Sequence, residues 1–137
     1  MYKKDYILRI IEDFAKMLGV ILGFKLEGDY KKAEEAIDEA LKKYTETDLA
    51  FLLSFPPQEM LIELTEKRQL SEEQLHVIAE LLFQQAEIRK LNNELTQTQD
   101  LYLRSYTVYN WLNENQKKTF SVEIAKRCSH LKEVLAT

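Results

Sequence analysis

Three glycines, two prolines, one cysteine and two histidines are all that this chain offers of the residues that punctuate, cross-link or coordinate. All-β domains need many tight turns and draw glycine and proline into them, so the scarcity of both points to helices. The lone Cys128 excludes an intramolecular disulfide. His76 and His130 fit no HxxxH spacing, and there is no CxxC. His130 stands two residues from Cys128, so on a helix the two side chains diverge. No metal site and no cofactor is expected from such a set. Neither a glycine-rich phosphate loop nor a GxSxG elbow occurs, and no catalytic residue is expected. Positive charge is also short: 19 Lys and Arg against 23 acids leave a net charge of −4, without the basic field of a duplex binder. Lys117, Lys118, Lys126, Arg127 and Lys132 make the last stretch locally basic. Glu123 and Glu133 interrupt it, and it reads as a solvated helix face. The longest apolar run, MLGVILGF at 17–24, falls well short of the ~20 residues of a membrane span. Arg9, Glu12, Asp13 and Lys16 break any signal peptide, so a cytoplasmic, non-membrane protein is expected.

What is present is the material of a helical core. Apolar residues make up 45% and charged residues 31%, a globular balance, and 137 residues can bury one core without cross-links. Three-four spacing of Tyr6, Ile7, Ile10, Ile11, Phe14, Met17, Leu18 and Ile21 predicts a first helix over 5–26, with Asp5 near its start. Gly28 suits the left-handed position that closes it, and Asp29 can cap a second helix over 30–44. That helix turns Tyr30, Ala33, Ala36 or Ile37, Ala40, Leu41 and Tyr44 inward. Its outer face spaces Asp38 before Lys42 and Glu39 before Lys43 as ion pairs. A turn at 45–48 leads to a short helix over 48–55, which Pro56 stops. Pro57 opens the next, over 57–69. Ser71 with Gln74 forms a capping box for a helix over 71–91, apolar nearly all round and therefore central. A turn at Asn92–Asn93 precedes a helix over 94–113. The segment 113–119 connects to a last helix over 120–135 that buries Phe120, Ile124, Cys128, Leu131 and Leu135. The expected fold is all-α: a single domain of six or seven helices, built as a bundle or a short superhelix of hairpins.

The stretch GDYKKAEEAIDEAL, residues 28–41, carries a more specific pattern. Phe24, Gly28, Asp29, Tyr30, Ala33, Ile37 and Ala40 give an aromatic, a turn glycine, a turn aromatic and alternating small and large contacts. Over residues 14–41 this resembles one tetratricopeptide repeat, a helical hairpin in which small residues let the second helix approach closely. Met17 stands where the family usually has tryptophan, Ile21 where it has a small residue, and Thr45 at its closing proline. The chain also looks like members of an uncharacterised bacterial family with this hairpin, which implies no activity. The repeat family implies peptide binding on the concave side of the first helices. Here those positions are Ala15, Leu18, Leu22, Lys25 and Leu26, an apolar set. Such a patch needs a cover. The helices over 71–91 and 120–135 are expected to supply it within the chain. Failing that, the first hairpin is expected to pair with a second copy, so the chain is a monomer or a homodimer.

Function follows only in class. A protein-interaction or scaffold module without enzymatic activity is expected, its partner an unidentified protein or peptide. Tyr102, Arg104, Tyr106, Tyr109 and Asn110 crowd the helix over 94–113, and aromatics with arginine are what binding hot spots favour. The same residues fit a core helix with polar tips, in which Leu101, Val108 and Leu112 form the buried stripe and the tyrosines border it half-buried. Two alternatives stand beside the interaction reading. One is a small-molecule-binding or catalytic bundle using Arg104, Tyr106 and Tyr109. The other is nucleic-acid binding through the basic last helix, disfavoured by the net charge.

Overall fold

In the computed structural model, which describes residues 2–115 and 121–137, seven α-helices and no strand occur among the described residues. They are α1 (Tyr2–Leu26), α2 (Tyr30–Thr45), α3 (Leu49–Leu53), α4 (Pro57–Ile62), α5 (Glu72–Leu91), α6 (Leu95–Asn115) and α7 (Val122–Ala136). The side chains of Asp5 and Ile7, and Lys117, Lys118 and Phe120 altogether, lie outside the described residues. Helix α1 begins three residues earlier than its periodicity suggests, and α6 runs two residues past Asn113.

Helix α1 closes through paired bonds. Gly28, at φ 77°, donates its N–H to the Lys25 carbonyl (3.2 Å), and Asp29 donates to Phe24 (2.9 Å). This pair satisfies two carbonyls that a helix end leaves without partners. The Asp29 carboxylate then accepts the Lys32 N–H at 3.3 Å and starts α2. Ala33 and Ala40 are fully buried, with Ile37 and Leu41 beside them, so α2 lies close against α1. Phe24 and Tyr30 sit half-buried at the turn.

The second hairpin, α5–α6, turns without a glycine. Asn93, at φ 61°, donates to Lys90 (3.1 Å), and Glu94 donates to Arg89 (2.8 Å). The two bonds repeat those at Gly28, with asparagine tolerating the left-handed backbone. The capping box that opens α5 is complete: Gln74 N–H donates to Ser71 Oγ at 3.1 Å, and Ser71 N–H to Gln74 Oε1 at 3.0 Å.

Between the hairpins, the helix expected over 57–69 is broken. The α-helical bonding of α4 gives way at Glu63–Lys67 to a π-helical turn, in which Arg68 N–H reaches back five residues to Glu63 (2.9 Å). The wider turn keeps Leu64 buried and ends in Gln69 at φ 50°. Helix α3 is likewise shorter than 48–55, because Asp48 is its cap, accepting the Phe51 N–H at 2.7 Å.

Chain direction follows from the contacts. Gln74 Nε2 donates to the Tyr44 carbonyl and Gln85 Nε2 to Glu34, so α2 and α5 are antiparallel. The Tyr102 hydroxyl donates to Glu87 and the Tyr109 hydroxyl to Glu80, so α5 and α6 are antiparallel too. Arg127 meets Glu80, and His130 meets Phe83, so α7 runs with α5. Helices α1, α5 and α7 are therefore parallel and line one side, with α2 and α6 behind them.

Candidate functional site

The side lined by α1, α5 and α7 holds an open groove of about 860 Å³. Helix α1 supplies an apolar wall through Ile10, Ile11, Phe14, Ala15 and Leu18. The facing wall mixes His76 and Val77 of α5 with Ile124, Lys126 and His130 of α7, and Tyr109 and Leu112 of α6 reach its floor.

The floor is organised by a carboxylate that nothing in the helix pattern singled out. Glu80 lies in α5 and is only 5% exposed. Burying a charge is costly unless it is paired and hydrogen-bonded. Arg127 supplies the pairing, with Nε and Nη2 each 3.1 Å from a different Glu80 oxygen. Tyr109 donates its hydroxyl to one of those oxygens (2.5 Å), and Gln84 Nε2 donates to the other (2.9 Å). Four donors fill the acceptor capacity of one carboxylate. Lys25 of α1 extends the chain of bonds by donating to Gln84 Oε1 at 3.1 Å. The Arg127 guanidinium also stacks on the Phe83 ring, 3.8 Å from its centroid.

These contacts shift the groups around them. Burial pushes the Tyr109 hydroxyl well above its ordinary range, and the charge of Glu80 pushes it further. Burial, the largest single influence on Arg127, would lower it, but the charge and hydrogen bonds of Glu80 together with those of Tyr109 outweigh it, and the guanidinium is held more firmly protonated. Burial lowers His76 below its ordinary 6.5, against the pull of Glu80 and Glu123, so a neutral imidazole faces the groove at neutral pH. Arg127 is thus an interhelical ion pair rather than part of a solvated basic face. Lys126 and Lys132 are exposed.

The residues expected as a binding cluster on α6 are not brought together. Arg104 is 6% exposed and points to the rear, donating through Nη1 to the carbonyls of Leu52 (3.0 Å) and Phe55 (2.6 Å) while Nε pairs with Asp100 (2.7 Å). Tyr102 donates to Glu87 near the far end of α5. Tyr102 and Tyr109 are fully buried rather than half-buried, each sending its hydroxyl to a glutamate of α5. Tyr106 and Asn110 lie half-buried toward α7, 3.5 Å apart, with the Cys128 thiol 3.8 Å from Asn110. Burial raises the Cys128 thiol above its usual range. Of the cluster, Tyr109 alone lines the groove. No grouping of three or more His, Cys, Asp or Glu suited to a metal ion occurs among the described residues.

The expected cover for α1 is only partial: α5 meets α1 and leaves Leu18 half-buried, but α7 does not close over it. Helix α7 packs on α6 rather than over α1, so Ala15 is exposed, Leu22 is 36% exposed and Leu26 88%. Docking on α6 and α5 is what holds α7 away: the helix packs along α6, Ile124 and Leu131 are buried, and Arg127 is committed to Glu80 of α5. Among the described residues, no helix is long and apolar enough to cross a membrane. Comparison of the chain with protein-family models, with curated proteins and with solved structures finds no match.

Proposed function

We propose that the chain is a non-enzymatic protein-interaction module of tetratricopeptide-like build, which takes an apolar peptide segment of another protein into the groove between α1, α5 and α7. One observation carries the reading. The α1 wall is a row of apolar side chains that the chain leaves open, with Ile11 50% exposed above a formed floor. An apolar cleft with a few fixed polar groups is a common form of binding site. The repeat-like build is supported by two hairpins that close on the same pair of backbone bonds and by three parallel helices facing one way. The saturated hydrogen bonding of Glu80 favours a structural task for the floor over proton transfer. A cytoplasmic setting belongs to the same reading and rests on the single unpaired cysteine.

Display selection of random peptides against the full chain tests this. Enriched peptides should carry apolar residues at helical spacing. Filling the groove from its α7 wall with His130→Trp should weaken them about tenfold or more. A selection that enriches nothing, or peptides indifferent to the filled groove, would overturn the proposal.

A further inference from the structure

We infer that the groove is gated by acid: an apolar occupant seats over His76 only while the imidazole is neutral, so acidification expels the occupant and binding an occupant expels a proton. The gate rests on the groove being a binding site for an apolar segment, and it concerns the regulation of that same site. His76 stands in the first turns of α5, half-buried in the wall that faces the apolar side chains of α1. Its ring packs against that of Tyr109, with centroids 5.5 Å apart and planes at 71°. The imidazole is thus held between an aromatic ring and the open groove.

The groups around His76 serve an added proton poorly. One turn along α5, Glu80 is the nearest acceptor by position, but its two oxygens already take four donors from Arg127, Tyr109 and Gln84. From α6, the Tyr109 hydroxyl is committed to the same carboxylate. From α1, the groove is lined by Ile10, Ile11, Phe14, Ala15 and Leu18, none of which titrates. Helix α7 brings charge of both signs, Glu123 against Lys126 and Arg127, together with His130, which is exposed. Glu72 and Glu73 add negative charge from the start of α5. Burial nevertheless dominates. It lowers His76 against the combined pull of Glu80, Glu123 and Glu73, and Arg127 lowers it further. In the open groove a charged imidazole is hydrated from the mouth. An apolar segment across that mouth displaces the water and offers no acceptor in exchange, so the burial that already disfavours the charge deepens. The occupied groove therefore favours the neutral ring more strongly than the open one does, and protons compete with the occupant. Affinity is complete above the ordinary histidine value of 6.5. It falls as the pH drops through the lowered value of the open groove, by at most about tenfold per pH unit for a single proton.

Fluorescence titration of the full chain with the neutral apolar dye N-phenyl-1-naphthylamine tests the gate without a peptide partner. The dissociation constant should be level from about pH 7.5 to about pH 6.5 and rise about threefold or more by about pH 5. His76→Gln should show one dissociation constant across this range, while His130→Gln should keep the acid loss. Should His76→Gln lose helicity, the wild type decides by NMR. Its two histidines titrate as separate signals, and the midpoint of His76 should drop when dye saturates the groove. A dissociation constant indifferent to pH, the same acid loss in His76→Gln, or a His76 midpoint that stays or rises on saturation would overturn the inference. So would dye that fails to bind or that ignores His130→Trp, since the groove then takes no apolar occupant. A peptide selection that enriches nothing leaves the dye result standing. Enriched peptides that bind equally well at acid pH would end the gate and leave the peptide site intact.

Discussion

Gly28 and Asn93 occupy the same place in their hairpins, with φ of 77° and 61°. The constraint is on the dihedral, and two different residue types meet it. A β-carbon in this region costs roughly 1–2 kcal/mol, which asparagine partly recovers. Asn93→Ala should therefore lower unfolding free energy by about 1 kcal/mol in urea titrations, while Asn93→Gly should leave it within about 0.5 kcal/mol. Equal losses from both would show that the asparagine side chain, not its backbone, matters. Legibility in the sequence divides at this scale. Gly28, Asp29, Ser71 and Gln74 declare their roles because each answers a local need of the backbone. Glu80 and Arg127 do not, because their partnership crosses 47 positions. A signal was nevertheless there: Glu80, Gln84 and Gln85 sit in a helix otherwise apolar all round, and buried polar groups need partners.

At the scale of elements, the hairpins follow from periodicity while the segment between them does not. The π-helical turn at Glu63–Lys67 has no composition cue, since its residues are ordinary helix formers. What holds α3 and α4 in place is Arg104, read from the sequence as a binding residue and found clamping the Leu52 and Phe55 carbonyls. A charged donor was required there because Phe55 precedes Pro56, where helical bonding ends. Arg104→Met keeps the length of the side chain and removes the donors. It should cost about 2–3 kcal/mol. Amide exchange should rise first in residues 49–62, and uniform acceleration across all helices would contradict a local clamp.

For the whole molecule, the all-α class and the central place of α5 were legible, whereas the open face of α1 was not. Counting apolar surface on α5 and α7 suggested a lid, but α7 uses its surface on α6 and α5 divides its own among α1, α2 and α6, and a sum of areas carries no directions. The Glu80–Arg127 pair fixes where α7 goes. Arg127→Met leaves a buried carboxylate without its cation and should destabilise by about 2–4 kcal/mol, less than a fully buried pair because the arginine is partly exposed. Glu80→Gln added to Arg127→Met should recover part of that loss in a double-mutant cycle, and additive losses would mean the two residues act independently. The segment that joins the hairpins has a consequence of another kind. The α3 N-terminus is tied to Asp38 of α2, and the α3 C-terminus to Arg104 of α6, both on the layer behind the groove. It spans the two hairpins as a brace spans a pair of jaws behind the pivot. How far the jaws can part is then governed by residues that an occupant of the groove never touches.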